Sequence, residues 1–500
     1  MKRVTITVRS GRGRRYLYDD KTGCILPWSD LREAILRSKC AAGAADPEPA
    51  NPSADPGDVA AETRFITEWF DKYGAFMRAS DKPAPVPSAD ALVALVGAHS
   101  SQLNLTVTEA CNLRCRHCVF SGAYLYTRTH SAAVMSPERA MRALDWYVEL
   151  IEPQRRQQRS KVFGLSFWGG EPLLNVAAIR AVLERVRTLY PGLFAPTMTT
   201  NGTLLTRANV ALLVDHQVNL VVSIDGHAAE HDRRRVYASG RGSLDLVLAN
   251  LRRIKRDHPA YWADRMSTHP VYDASTDLVS VAEFFEQHAD VVPRVATIGG
   301  VSLKDLVAGG TDRSSDGGAE YVGTVGRLRS DFDRAKTTNG RMSTYTEAFG
   351  NLEMSGLLFR SRYLDRSLPF MPFTGNCLPG HRVTVRVDGT LDLCERVNQS
   401  FPIGHLESGV DGERIRALLD ETQTKLISGC YTCPATRMCR VCFAQTLGNG
   451  CLEDLAEQCQ ASRRAAVRAL QRFVTIMETN PQAALQTEWP EFAGRPGDGA

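Results

Sequence analysis

Between residues 101 and 300 the chain alternates two hydrophobic patterns. Short apolar runs of strand length occupy 103–108, 162–168, 195–200, 219–224, 269–273 and 293–298. Between them lie segments whose apolar residues return every three or four positions. In the first, Ser136-Pro137 supplies a cap and a first-turn proline, after which Met141, Leu144, Val148 and Ile151 share one face. The same spacing predicts helices over 175–190, 207–216, 243–257 and 275–289. Repeated strand–helix units imply an α/β fold, a curled parallel sheet with helices outside. Its functional groups should gather where the strands enter the following loops.

Flanking segments follow other patterns. Residues 4–8, 15–18 and 24–26 read as short strands, and 28–38, 60–78 and 89–97 as helices, a small α+β unit. Segments 44–60 and 80–88, rich in proline and small residues, read as flexible linkers, and 303–345 as a linking loop with one helix. Proline, glycine and acidic residues after 480 predict a disordered tail.

The first strand runs into Thr-Glu-Ala-Cys111-Asn-Leu-Arg-Cys115-Arg-His-Cys118, a C-x3-C-x2-C spacing. Three thiolates on one short loop can hold three corners of a [4Fe–4S] cube and leave the fourth iron a coordination site open to a non-protein ligand. Zinc is the alternative, with His117 as a fourth ligand. Its place between Cys115 and Cys118 argues against that, because a residue wedged between two ligands projects away from the metal they share.

This stretch resembles the signature of the radical S-adenosylmethionine (AdoMet, SAM) enzymes, and later segments match that superfamily in order. Phe163 to Pro172 ends in Gly169-Gly170-Glu171-Pro172, similar to the family's GGEP element. Thr200-Asn201-Gly202-Thr203 and Val221-Val222-Ser223-Ile224-Asp225-Gly226, followed by His231-Asp232 and Arg235, resemble its third and fourth strand ends. The resemblance implies a partial (β/α)6 radical SAM barrel, open on one side to a large substrate. It also implies that Gly169, Gly170 and Glu171 hold the AdoMet amino group, that Ser223 contacts its ribose or carboxylate side and Arg235 its carboxylate, and that Phe120 and Asn201 join the cofactor site.

A second field of cysteines lies further on. Cys377-x11-Gly389-x4-Cys394 is followed by Cys430, Cys433, Cys439 and Cys442 in a C-x2-C-x5-C-x2-C array, then by Cys451 and Cys459. The array resembles the seven-cysteine SPASM domain of peptide-modifying radical SAM enzymes, except that the family's last inner spacing is usually one residue longer. By that resemblance Cys430, Cys433, Cys439 and Cys459 ligate one auxiliary [4Fe–4S] cluster, and Cys377, Cys394 and Cys442 a second. The fourth iron of the second is either open to a substrate thiolate or closed by Cys451. The paired C-x2-C units taken alone also suit zinc ribbons. Glu395 stands where related sulfatase-maturing enzymes carry an acidic side chain proposed as a catalytic base; the plain alternative is a solvated carboxylate paired with Arg396.

At 500 residues the chain suits two or three domains. The organisation read from it is an N-terminal unit over 1–97, a radical SAM core over 98–310, linker and bridging helices over 311–370, an auxiliary-cluster domain over 371–480 and a tail over 481–500. Because 60 basic and 56 acidic residues nearly cancel, charge gives no sign of a nucleic-acid binder. No apolar stretch reaches bilayer length, and the first residues lack the apolar core of a signal peptide. Thirteen cysteines, mostly in clustered spacings, then point to metal in a reducing cytoplasm rather than to disulfides. Cys24 and Cys40 stand apart and read as inert.

These implications converge on a radical SAM oxidoreductase that modifies a ribosomally synthesised precursor peptide (a RiPP), forming a thioether or carbon–carbon cross-link. A flavodoxin or ferredoxin is the expected electron donor, and no nucleic acid or membrane partner is expected. The N-terminal pattern resembles a small winged-helix precursor-recognition domain, where a leader peptide adds a strand to a sheet edge; a structural extension is the alternative. A sulfatase-maturing enzyme that oxidises Ser or Cys to formylglycine is the second enzymatic reading. An idle cluster-bearing scaffold is the non-enzymatic one.

Overall fold

The structure, a computed structural model, describes residues 2–42, 55–78, 83–301, 318–360, 368–371, 377–453 and 455–483. Three N-terminal strands, β1 (Thr5–Arg9), β2 (Arg15–Asp19) and β3 (Cys24–Pro27), pair antiparallel in that order. One face packs Leu17 and Leu26 onto α1 (Asp30–Ala42) and α2 (Pro56–Tyr73), where Leu36, Ile66 and Phe76 complete a small core. The other packs Val8 and Tyr18 onto the C-terminal helix α12 (Ala456–Thr479), against Ala466, Ala469 and Leu470. The N-terminal unit is thus held between its own helices and the far end of the chain.

Helix α2 differs from its predicted span of 60–78. It starts at Pro56 because the Asp55 carboxylate accepts from the Gly57 amide at 2.7 Å, and it ends where Gly74 turns to φ 57°. Met77–Arg78 then pairs with Lys2–Arg3 as a strand. The predicted linker 44–60 is therefore helical from Pro56; its residues 44–54 lie outside the described residues, as do 484–500 of the predicted tail. From 83 the chain runs without helix or strand to Ser88, which caps α3 (Ala89–His99).

The central sheet contains five parallel strands from the repeated units: β4 (Gln102–Thr108), β5 (Phe163–Gly169), β6 (Phe194–Thr200), β7 (Asn219–Val222) and β8 (Met266–Thr268). On β4 and β5 the alternation is plain. Leu103, Leu105, Phe163, Leu165 and Phe167 are fully buried in the core under α4 (Pro137–Leu150) and α5 (Val176–Leu189). Gln102, Asn104, Thr106, Ser166 and Trp168 occupy the opposite positions, so the inner face of the sheet is a polar-lined bay. Outer helices α6 (Arg207–Asp215), α7 (Leu244–Asp257) and α8 (Leu278–Gln287) continue the pattern.

Two predicted strands are corrected. The fifth is Met266–Thr268 rather than 269–273: Pro270 interrupts, and Val271–Tyr272 pairs instead with Gly299–Gly300. The run 293–298, which starts at a proline without an amide donor, contributes only a single parallel bridge, Val295 to Thr268. The opposite edge is longer than predicted. There β9 (Arg382–Val385) pairs parallel to β4, and β10 (Thr390–Asp392), β11 (Pro402–His405) and β12 (Gly409–Val410) follow antiparallel. The second cysteine field is therefore joined edge-on to the first strand of the core sheet.

Of the segment 303–345, predicted as a loop with one helix, residues 303–317 lie outside the described residues and the helix is α9 (Gly318–Thr338); α10 (Thr344–Leu358) begins at the Ser343 cap and runs on past the segment. Helix α11 (Gly412–Thr422) packs on α3, with the Gly412 position pressed against the Ala89 carbonyl. Among the described residues no helix is long and apolar enough to cross a membrane.

Candidate active site

The loop after β4 is stapled to a second segment. Arg114 donates its amide to the Val236 carbonyl at 2.7 Å, Arg116 donates to the Arg234 carbonyl at 2.9 Å, and Leu113 bridges Tyr237. This extended pairing alternates the loop: Leu113 and Cys115 turn inward, Arg114 and Arg116 outward. Burial pushes the Cys111 and Cys115 thiols up to about 11 and raises Cys118 as well, and the three lie within electrostatic reach of one another. The Leu113 amide points at Cys111 Sγ and the Phe120 amide at Cys118 Sγ, each at 3.4 Å. Backbone donors aimed at sulfur suit thiolates that carry negative charge.

Gly169 and Gly170 fix where this loop sits. A Cβ on Gly169 meets the Thr108 carbonyl oxygen at 2.4 Å, and one on Gly170 meets that of Ala110 at 2.2 Å and Cys111 Cβ at 2.9 Å. The absent side chains admit the chain's own cysteine loop. The Gly170 amide donates to Thr108 and that of Glu171 to Ala110, both at 2.9 Å. The Glu171 carboxylate is buried and accepts from Thr200 Oγ1 at 2.7 Å, the Asn201 amide at 2.8 Å and the Leu173 amide at 3.2 Å, which ties the ends of β5 and β6 together. Burial raises its pKa to about 7.

Asn201 donates to Asn112 Oδ1 at 2.9 Å and accepts from Thr203, while Asn112 donates to Thr203 Oγ1 at 2.8 Å, a ring of amides beside Cys111. Ser223 follows β7, its amide bonded to the Thr200 carbonyl. Arg235 gives Nε and Nη2 to both oxygens of Asp225, at 2.8 and 2.9 Å, in a fully buried pair that holds the Asp225 carboxyl far below its usual range. The His231-Asp232 pair braces this turn. His231 accepts from the Asp225 amide and lies 3.0 Å from Ser243 Oγ, and Asp232 caps α7. Burial beside Arg235 lowers His117 to about 3, so its ring is neutral, and its buried Nδ1 has no hydrogen-bond partner.

Two neighbours of the loop carry no sequence signal. Arg128 stacks over the Phe120 ring at 3.9 Å and places Nε 3.5 Å from a Glu109 carboxylate oxygen, with Cys118 and Cys111 also within reach of its charge. It stands in an irregular loop with no periodicity to mark it. Trp168 places its indole on the inner face of β5, its buried Nε1 without a hydrogen-bond partner.

The second cysteine field divides into two sets. Cys430, Cys433, Cys439 and Cys459 interact with one another electrostatically, and Thr436 Oγ1 donates to the carbonyls of Cys430 and Cys433. Cys394, Cys377 and Cys442 form the other set, with Glu395 beside them. Cys451 is exposed on a separate hairpin, its thiol 3.4 Å from the Gly448 carbonyl. Glu395 is no solvated surface carboxylate. Its side chain is 7% exposed; it accepts from Asn104 Nδ2 at 2.9 Å and Arg382 Nη1 at 3.1 Å, with Arg396 more distant at 3.7 Å. Asn104 lies on the inner face of β4, so the hairpin bearing Cys394 sends a carboxylate into the bay. A polar residue among the leucines of β4 was the available signal for Asn104.

Among the described residues, no three His, Cys, Asp or Glu side chains converge closely enough to hold a single metal ion. Three buried thiols on one loop, faced by the Leu113 and Phe120 amides, are a donor set that suits the corners of an iron–sulfur cluster.

Residues 105–270 match the model of the Radical SAM superfamily, so the chain contains a radical SAM domain. Radical SAM cyclopropyl synthase TigE of Paramaledivibacter caminithermalis is 23% identical over 194 residues, 37% of this chain and 40% of that protein. GTP 3′,8-cyclase of Xanthomonas campestris pv. campestris is 32% identical over 149 residues, 30% of this chain and 40% of that protein. The matches thus span 40% of the length of these curated relatives. Of the solved structures, anSMEcpe with bound AdoMet aligns at a TM-score of 0.56 and 18% identity, over 76% of this chain and 99% of that one, a likeness of fold.

Proposed function

From a chain that carries a radical SAM domain, we propose a peptide maturase: an enzyme that removes hydrogen from a ribosomally made precursor peptide and closes an intramolecular thioether or carbon–carbon cross-link. The observation that supports it most is Glu395, which reaches from the second cysteine field into the bay beneath the first. Asn104 and Thr108 stand four residues apart on β4, roughly 13 Å. A peptide laid along the bay has the Cys111–Cys118 loop above it and a carboxylate to one side.

In this reading Cys111, Cys115 and Cys118 hold a [4Fe–4S] cluster, whose chemistry with AdoMet is a 5′-deoxyadenosyl radical able to take a hydrogen atom from an unactivated carbon. Cys430, Cys433, Cys439 and Cys459 hold one auxiliary cluster, and Cys377, Cys394 and Cys442 another, groups suited to electron transfer. Gly169, Gly170, Phe120, Asn201, Ser223 and Arg235 line the AdoMet site. Glu171 acts one step back, by fixing the strand ends, and Arg235 serves AdoMet with the nitrogen it has not given to Asp225. Glu395, oriented by Asn104 and Arg382, takes the proton that leaves the substrate. The bay walls hold the peptide carbon in place and exclude water. The outer edge of β3, which pairs with no strand among the described residues, offers the leader peptide a docking edge.

TigE is a cyclopropyl synthase, which keeps carbon–carbon closure among the outcomes. Formylglycine formation on a partner protein is the second reading, because the same Glu395, Asn104 and Arg382 arrangement serves it. The test is anaerobic reconstitution with iron and sulfide counted per chain. Each cysteine set replaced by alanine should remove one cluster's worth of iron, and the wild type should release 5′-deoxyadenosine. Zinc retained in place of iron, or no 5′-deoxyadenosine, contradicts the proposal.

A further inference from the structure

The cysteine loop that turns Leu113 and Cys115 inward turns two cations outward. Arg114 and Arg116 are both exposed, and Arg114 lays its guanidinium across the carbonyls of Cys111 and Leu113, at 2.6 and 2.9 Å, on the outside of the loop. A third belongs to the same strip. Tyr237, bridged to Leu113, carries the Arg241 guanidinium 4.9 Å from its ring centroid, and Arg241 is exposed. Nearby acids are already committed: Asp225 to Arg235, Glu230 and Asp273 to Arg233 and Arg234, and Asp232 to the cap of α7. Among the described residues none of the three outward arginines has a carboxylate within ion-pair distance. Val119, next to Cys118, adds an exposed apolar side chain, 37% accessible. Uncompensated positive charge is thus concentrated on the outer surface of the metal-binding loop of a chain whose net charge is only +4.

We propose that this strip, Arg114, Arg116 and Arg241, is the docking surface for an acidic one-electron carrier protein. The inference deepens the proposed function and rests on it: the Cys111–Cys118 site has to receive an electron from outside. Charge complementarity selects the partner, because a carrier with an acidic rim around its redox centre is steered to this strip and oriented by it. The carrier gives up one electron, the buried site takes up one, and no proton or bond moves. The path is short because Cys115 lies between Arg114 and Arg116 in sequence and opposite them across the chain.

The test uses a purified flavodoxin, an acidic carrier, and the reconstituted full chain. Binding of oxidised flavodoxin is measured by titration calorimetry at low and high ionic strength, for the wild type and for Arg116→Glu/Arg241→Glu. The surface predicts measurable binding that weakens with salt and at least about a tenfold loss on charge reversal. Flavodoxin-driven 5′-deoxyadenosine release should fall in step, while dithionite-driven release, which needs no docking, stays within about twofold of wild type. Arg241→Glu alone, outside the ligand loop, repeats the test if the double variant loses its metal. Binding indifferent to salt and to both substitutions overturns the surface. Absence of dithionite-driven release from the wild type overturns the function instead, and the titration still judges the surface.

Discussion

Asn104 donates its side-chain amide to Glu395 across 291 positions of sequence, at 2.9 Å. The bond joins the first strand of the radical SAM domain to the hairpin that carries Cys394, and it makes Glu395 part of the bay. Glu395→Gln keeps the shape and removes the proton acceptor. Peptide turnover should fall by about 10²–10³-fold while 5′-deoxyadenosine still forms, uncoupled from product. Parallel assays of both products check this, and coupled loss of both contradicts it.

Gly170→Ala tests the contact between the two motifs. Its Cβ lands 2.2 Å from the Ala110 carbonyl oxygen, a backbone atom of the cysteine loop, so the loop has to move. The variant should lose iron at the first site and about 1–3 kcal/mol of stability. Gly323→Ala, in open space on α9, serves as the control and should be neutral or slightly stabilising. Iron content and urea midpoints decide.

Asp225 and Arg235 form a buried pair, so removing one partner costs more than removing both. Asp225→Ala should destabilise by about 3–5 kcal/mol, and Asp225→Ala/Arg235→Met should recover a substantial part of that. A double-mutant cycle by chemical denaturation measures the coupling. Additive losses contradict a charge-balanced pair.

Glu171 adds a pH dependence. Its folded pKa is raised to about 7, against roughly 4.3 for an unfolded glutamate. A raised pKa means the fold binds the proton more tightly. The contribution is therefore whole below about pH 4.3 and is lost as pH rises through about 7. Urea midpoints should decline over that window, and Glu171→Gln should flatten the decline.

Much of this arrangement was legible in the sequence. The strands β4 to β7 follow from apolar alternation, and the C-x3-C-x2-C loop and Gly169-Gly170 sit at strand ends as the strand–helix pattern requires. The glycines illustrate a limit. Their absence of side chains was readable, but the partner, the carbonyls of Thr108 and Ala110, became visible only in three dimensions. Run 293–298 looked like β8's neighbour because its residues are apolar, yet the proline at its start and the chain's route back through β9 assign the opposite edge a fuller strand. Arg128 and the Asp225 partnership of Arg235 were hidden because contacts between residues of irregular loops leave no period in a sequence.

The most direct test of the central claim is mass spectrometry of short peptides encoded beside the gene. Each is co-expressed anaerobically with the protein or with its Cys111/Cys115/Cys118→Ala variant. The proposed function predicts a loss of two hydrogens per event, absent with the variant, that fragmentation maps to one linked residue pair. Peptides of unchanged mass beside active AdoMet cleavage contradict cross-linking and direct the search to a protein substrate.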